Sequence, residues 1–295
     1  MHARILLLSV LLISFLVSCR GIDIEGLAEL RSDVPYADQS EKQKLDMYFP
    51  RGDGPFPVIF AVHGGGFMFG SKESGDTEII IEEGVARGYA VISIGYRLSD
   101  EAKFPAAIDD VQEAVRFVRQ NAQAFGLDST RFAVWGGSAG GNLAALAATK
   151  GSTDDGSHVH AAIDWFGPIQ FDRMDNQFEA LNLKPQLGPT NASKSPESRY
   201  IGMAVNADEA ADLVFAASPQ SYITPDDPPF LIQHGTADRN IPVTQSVNFA
   251  NALSSIIGAE NVTLDIIEGA GHGGAEFESE ENINKIFDFL GSNLD

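Results

Sequence analysis

Trp135-Gly136-Gly137-Ser138-Ala139-Gly140-Gly141 sets a serine between two glycines, after a β-rich run, Arg131-Phe132-Ala133-Val134, and before an alanine-rich segment. A strand that turns abruptly into a helix around a serine leaves no room for side chains two residues to either side. Glycines at 136 and 140 therefore let the turn close with the Ser138 hydroxyl held out at its tip, a nucleophile elbow. Ala139 to Thr149 is expected as the following helix, its alanines at 144, 145, 147 and 148 permitting close approach to a sheet.

Working outward, His63-Gly64-Gly65-Gly66-Phe67 follows directly on an apolar run, Val58 to Val62. Glycines at such a junction expose bare backbone N–H groups to a developing oxyanion, and Gly65 and Gly66, joined by the N–H of Ala139, are the expected donors. Downstream, Phe230 to Asp238 reads as a buried strand entering a polar loop, and Val262 to Ile267 as another, followed by Gly269-Ala270-Gly271-His272-Gly273. A serine hydroxyl is too weakly acidic to attack an ester unaided. His272 as general base and Asp238 as the carboxylate that orients it complete the set. Serine, acid, histidine is the chain order of the α/β-hydrolases.

Other polar residues have plainer readings. His63 is expected to orient the glycine loop, and His234 to be structural. His158 and His160 share one strand face without a Cys or carboxylate cluster beside them, so no metal site is expected. Asp109 and Asp110 read as solvated or capping carboxylates on a helix from Pro105 to Phe125, and Asp226 and Asp227, before two prolines, as a turn. Asp226 is a weaker rival to Asp238 as the triad acid.

Strands at Gln43 to Phe49 (an edge strand), Pro57 to Val62, Ala90 to Ile94, Arg131 to Trp135 and Val159 to Phe166 alternate with helices, including one at Asp76 to Arg87. That alternation predicts a mostly parallel sheet covered on both faces. The pattern breaks between Pro168 and Pro228, where Asn, Pro and Ser are frequent and a short helix is expected at Asp208 to Ala216. Such an insertion between the nucleophile and acid strands lies over the strand ends where ligands bind, and reads as a lid or wall. The expected organisation is a leader over 1–18, a tether over 19–33, and a catalytic domain over 34–295.

The start of the chain carries Arg4, an apolar run from Ile5 to Val17, then Ser18 and the single cysteine of the sequence, Cys19. That run is shorter than the roughly 20 residues a membrane span needs, so an export signal is the expectation. Leu16-Val17-Ser18-Cys19 resembles a bacterial lipobox, which implies cleavage before Cys19, lipidation of its thiol and a membrane-anchored lipoprotein. Arg20 after the cysteine, by the same resemblance, favours the outer membrane in a Gram-negative cell. A net charge of −21 argues against nucleic acid as a partner and against electrostatic docking on anionic lipid.

Tyr96-Arg97-Leu98, Phe104 to Val111, the Gly-Gly-Ser-Ala-Gly-Gly elbow, Ala217-Ser218-Pro219 and His234 to Asp238 together resemble the bacterial carbohydrate acetyl/feruloyl esterase group, related to hormone-sensitive-lipase-like esterases. The resemblance spans roughly residues 34 to 290. It departs from the hormone-sensitive-lipase pattern at Gly137, where those enzymes usually carry Asp. It departs again in the short segment from Arg20 to Lys42, which leaves little room for an N-terminal helical cap. The resemblance implies a serine esterase needing no cofactor, acting on short acyl esters such as acetyl or feruloyl groups on polysaccharide. Phe67, Met68, Phe69 and Trp165 are candidates for the substrate pocket, each equally a candidate for the core. A prolyl-oligopeptidase-type exopeptidase shares the triad order but usually carries a propeller domain, and a non-catalytic pseudo-hydrolase would have no need of an intact triad.

Overall fold

A computed structural model describes residues 24–294. Eight strands form one sheet in the order β1 (Leu27–Pro35), β2 (Lys44–Pro50), β4 (Ala90–Ile94), β3 (Phe56–Val62), β5 (Leu127–Gly137), β6 (Ala161–Trp165), β7 (Phe230–Gly235), β8 (Val262–Ile267). β1 and β2 pair antiparallel, and β2 meets β4 antiparallel; from β4 across to β8 every pairing is parallel.

Period-2 side-chain alternation divides the core into two layers. Val58, Phe60, Phe132 and Val134 face one side, where α2 (Ala106–Phe125), α3 (Ala139–Lys150) and α7 (Thr244–Ile257) cover them. Ile59, Ala61, Ala133 and Trp135 face the other, under α1 (Glu78–Ala86) and α8 (Glu280–Leu294). With helices on both faces the central strands carry apolar residues throughout, which is the doubly covered parallel sheet the alternating pattern predicts.

The sheet edge differs from expectation. The strand expected at Gln43 to Phe49 is present as β2 but lies second, and the edge belongs to β1, which begins inside the segment expected to be a tether over 19–33. Leu-Ala-Glu-Leu-Arg-Ser-Asp-Val-Pro carries no apolar alternation because it has little core to face: six of its nine residues are exposed. Ordered domain therefore begins ahead of residue 34. Cys19 and the leader lie outside the described residues.

Chain order fixes where the site forms. From β3 the chain steps to β4 on one side, and the strands after α2 are laid on the other, so β3 and β5 are neighbours at the switch point. Val62, the last residue of β3, is in register with Gly136. The loops leaving the two strands thus diverge around a crevice at their C-terminal ends, where ligands bind in open parallel sheets.

The insertion between β6 and β7 folds into three short helices, α4 (Met174–Ala180), α5 (Pro196–Ile201) and α6 (Ala211–Ala216), the last matching the one helix expected there. It is built into the core: Phe171, Met174, Phe178 and Tyr200 are buried, and Tyr200 stacks on Phe67 with ring centroids 3.9 Å apart. Asn142 of α3 donates to the carbonyls of Pro168 (2.7 Å) and Ala217 (3.2 Å), while Gln245 of α7 accepts the N–H groups of Ile169 and Gln170. These bonds tie the insertion to α3 and α7 beside the strand ends.

Candidate active site

Ser138 holds φ 57° and ψ −124° at the junction of β5 and α3. A non-glycine residue at positive φ is strained, and the surroundings hold it there. A Cβ at position 136 would collide with the carbonyl of Gly140, and one at 140 with the carbonyl of Val62, so both glycines are sterically required. The Ser138 N–H donates to Trp165 O (2.9 Å), fixing the turn to the end of β6.

The expected triad is assembled. His272, on the loop after β8, has its Nε2 2.9 Å from Ser138 Oγ and its Nδ1 2.7 Å from Asp238 Oδ2. The other carboxylate oxygen accepts the N–H groups of Asn240 (2.7 Å) and Ile241 (3.0 Å). Burial by itself would raise the Asp238 carboxyl, but hydrogen bonds and charge from His234 and His272 outweigh it and hold the group well below the ordinary carboxylate range. Asp226 sits in the expected turn before Pro228, where its neighbour Asp227 accepts from Thr224.

His234 is fixed inside the core, its Nδ1 accepting from the Ser246 hydroxyl (2.7 Å) and its Nε2–H donating to Ile241 O (3.0 Å). The same Nε2 lies 3.3 Å from Asp238 Oδ2, so this structural histidine also steadies the acid. His63 is buried and stacked on Tyr96 at 4.1 Å, and burial lowers it to about 4, which keeps it neutral. The Tyr96 hydroxyl donates to His63 O (2.8 Å), pinning the start of the glycine loop. His160 accepts the Phe132 N–H on its Nδ1, and among the described residues no cluster of His, Cys, Asp and Glu could hold a metal ion.

The glycine loop turns through positive φ at Gly65 (96°) and Gly66 (61°). Gly64 N–H donates to Asp76 Oδ2 at 2.5 Å. The N–H groups of Gly65, Gly66 and Ala139 make no hydrogen bond within the described chain, and all three residues line the cleft over Ser138. Three free donors beside a nucleophile are what an oxyanion requires. Asp76 was not foreseen as a site residue; it stands thirteen residues beyond His63, in the short 3-10 turn Gly75–Thr77 that leads into α1, with nothing local to mark it.

The cleft has a volume of about 720 Å³. Of the four apolar candidates, Met68 and Phe69 lie at its mouth, Phe69 being 67 % exposed. Phe67 and Trp165 reach the wall, but their rings are committed to the core, Phe67 against Tyr200 and Trp165 edge-on to Trp135 with its indole N–H donated to Gln233 Oε1 (2.6 Å). The insertion adds Leu187, Lys194, Pro196 and Glu197. Glu197 is 6 % exposed, and burial raises its carboxyl to about 7. It too was unforeseen, since a Pro- and Ser-rich stretch gives no register from which to place a side chain. Asp110, expected to be solvated or capping, is instead buried in a bidentate pair with Arg97.

The fold is shared with known esterases. A carbohydrate esterase from gut microbiota, solved in truncated form, superposes with a TM-score of 0.79 at 30% identity, over 91% of this chain and 97% of that one. A bifunctional GH43-CE protein of Bacteroides eggerthii gives 0.79 at 31% identity, covering 90% of this chain and 35% of that protein. Esterase LipQ of Mycobacterium tuberculosis is 30% identical over 274 residues, 88% of this chain. The chain spans 62% of the length of LipQ and 52% of that of LipM, a probable carboxylic ester hydrolase of the same organism. Residues 45–253 match the BD-FAE family model. With its eight-stranded sheet, its elbow and its triad, the chain belongs to the BD-FAE family and has the α/β-hydrolase fold.

Proposed function

We propose that this protein is a serine carboxylic-ester hydrolase that removes short acyl groups, acetyl or feruloyl, from polysaccharide. The observation that carries the reading is the unbroken relay from Ser138 Oγ through His272 to Asp238, set beside three free N–H donors on the floor of a cleft. His272 takes the Ser138 proton as Oγ adds to the ester carbonyl. The N–H groups of Gly65, Gly66 and Ala139 receive the oxyanion, and His272 then protonates the departing alcohol. Water, deprotonated by the same imidazole, releases the acyl group from Ser138. The polysaccharide side of the reading is supported by the carbohydrate esterases that share this fold along most of the chain.

The test is a substrate series. p-Nitrophenyl acetate and butyrate should be hydrolysed at least tenfold faster than the palmitate, with acetate released from acetylated xylan or ferulate from its methyl ester. Ser138→Ala should lose on the order of 10⁴ to 10⁶ in rate. A kcat/KM that climbs steadily to C16 would make the protein a lipase, and a folded Ser138→Ala variant of normal rate would remove Ser138 as nucleophile.

We further propose export and lipid anchoring at Cys19. The apolar run from Ile5 to Val17, which ends at the chain's single cysteine, supports it.

A further inference from the structure

A cleft of about 720 Å³ is the size of a site for a drug-sized molecule, far more than a two-carbon acyl group fills. Most of it is left for the alcohol half of the ester, and two polar side chains in its wall keep hydrogen-bonding capacity that the protein does not use. Glu197 is 6 % exposed, and no Lys, Arg or His forms an ion pair with it among the described residues. Its carboxyl is held by the Ser195 side chain and by its own backbone N–H, and two bonds leave unused part of the roughly four acceptor positions that a carboxylate has. Asn240 Oδ1 is fully shielded and accepts no hydrogen bond, although the N–H of the same residue is tied to Asp238.

Both residues border the cleft near the reacting centre. Glu197 follows Pro196, whose ring would lie 3.1 Å from a Cβ placed on Gly66, which puts it beside the oxyanion loop. Asn240 is two residues past the triad acid. A ligand that satisfies them must bring hydrogen-bond donors, and it must do so alongside the ester. Alkyl and aryl alcohols lack such donors; a partly acylated sugar carries them on the carbons next to the ester. Burial raises Glu197 to about 7, so near neutrality it is partly protonated and offers a donor as well as acceptors to the same hydroxyl.

We propose that Glu197 and Asn240 form a hydroxyl-reading subsite for the alcohol half of the substrate, selecting esters with a free hydroxyl next to the ester-bearing carbon. The proposal rests on the ester-hydrolase reading and deepens its carbohydrate side.

Wild type, Glu197→Gln, Glu197→Leu and Asn240→Ala are assayed for kcat/KM on ethyl acetate, ethylene glycol monoacetate, a mono-acetylated methyl xyloside and acetylcholine. Wild type is expected to favour the two hydroxylated esters over ethyl acetate by tenfold or more. That ratio should fall about 10- to 100-fold in Glu197→Leu and Asn240→Ala and less in Glu197→Gln, which keeps a donor and an acceptor. A purely structural role would depress all the esters together and leave the ratio intact, which overturns the subsite, as does an undiscriminating wild type. A preference for acetylcholine overturns it as well, because the acceptors would then be reading a cation. If Glu197→Leu does not fold, Glu197→Gln and Asn240→Ala still report the ratio. A wild type that discriminates for the glycol ester through these residues yet ignores the xyloside supports the subsite while ending the polysaccharide reading. A wild type that cleaves the xyloside with a ratio indifferent to both residues does the reverse.

Discussion

Asp164 is buried at the end of β6, close behind the nucleophile helix, where Oδ1 accepts the Gly167 N–H (2.8 Å) and Oδ2 has no partner. Burial raises its carboxyl to about 6, against the pull of the Gly167 N–H and of His234. The folded protein therefore holds this proton more tightly than the unfolded chain, whose aspartates titrate near 3.9. The stabilisation is fully present below about pH 4 and is lost as pH rises through 6. Asp164→Asn should gain stability relative to wild type, on the order of 2 kcal/mol, between pH 4 and 7. Urea unfolding at both pH values measures it, and a wild-type-minus-variant difference that stays flat with pH would show that Asp164 ionises normally. Comparison with the variant is needed because Asp238, held low, titrates in the opposite sense. Ser138, Asp238 and His272 were readable from sequence because each follows a β-strand across a short loop, so the strand pattern locates the side chain. Asp76, Glu197 and Asp164 were not, because their roles depend on what a distant segment lays against them.

Between elements, the strongest polar joint is Arg97 to Asp110. The Arg97 backbone N–H and Nε reach Oδ2 at 2.8 and 2.9 Å, Nη2 reaches Oδ1 at 2.7 Å, and Gln43 Nε2 adds a fourth bond at 2.7 Å. One carboxylate thus ties the loop after β4, the start of α2 and the approach to β2. Arg97→Ala strands Asp110 in the core and should cost about 3–5 kcal/mol, while Arg97→Met with Asp110→Leu recovers most of that loss. Chemical denaturation of the single and double variants tests it; a loss below about 1 kcal/mol in Arg97→Ala would mean that water reaches the carboxylate freely. The sequence made both residues visible but not their partnership, since twelve residues and a turn separate them. The central strands were legible for the opposite reason: burial on both faces writes itself as an apolar run. β1 faces solvent along most of its length and so looked like linker, and the insertion's helices α4 and α5 were too short to establish a period.

At the scale of the whole molecule, an acidic body of net charge −21 has no electrostatic reason to stay on an anionic membrane, and no described helix is long and apolar enough to cross one. Retention on a membrane would then rest on acyl chains at Cys19, each buried CH₂ contributing about 0.8 kcal/mol. Cys19→Ser should move the protein from the detergent-extracted membrane fraction to the soluble fraction or block its processing. Mass spectrometry finding an unmodified N-terminus at some other residue would exclude lipidation. The wall over the cleft is joined to the acid loop at its Lys184–Gln186 end by Gln186 N–H donating to Arg239 O (2.7 Å) and Arg239 Nε donating to Lys184 O (3.0 Å). Those two joints use the backbone of the wall, so the side chains at 184 and 186 are free to vary without breaking them, while Phe171, Met174, Phe178 and Tyr200 stay fixed in the core. The molecule is in effect a fixed engine with an exchangeable die: descent can retool what it cuts, one insertion at a time, while the cutting edge stays as it is.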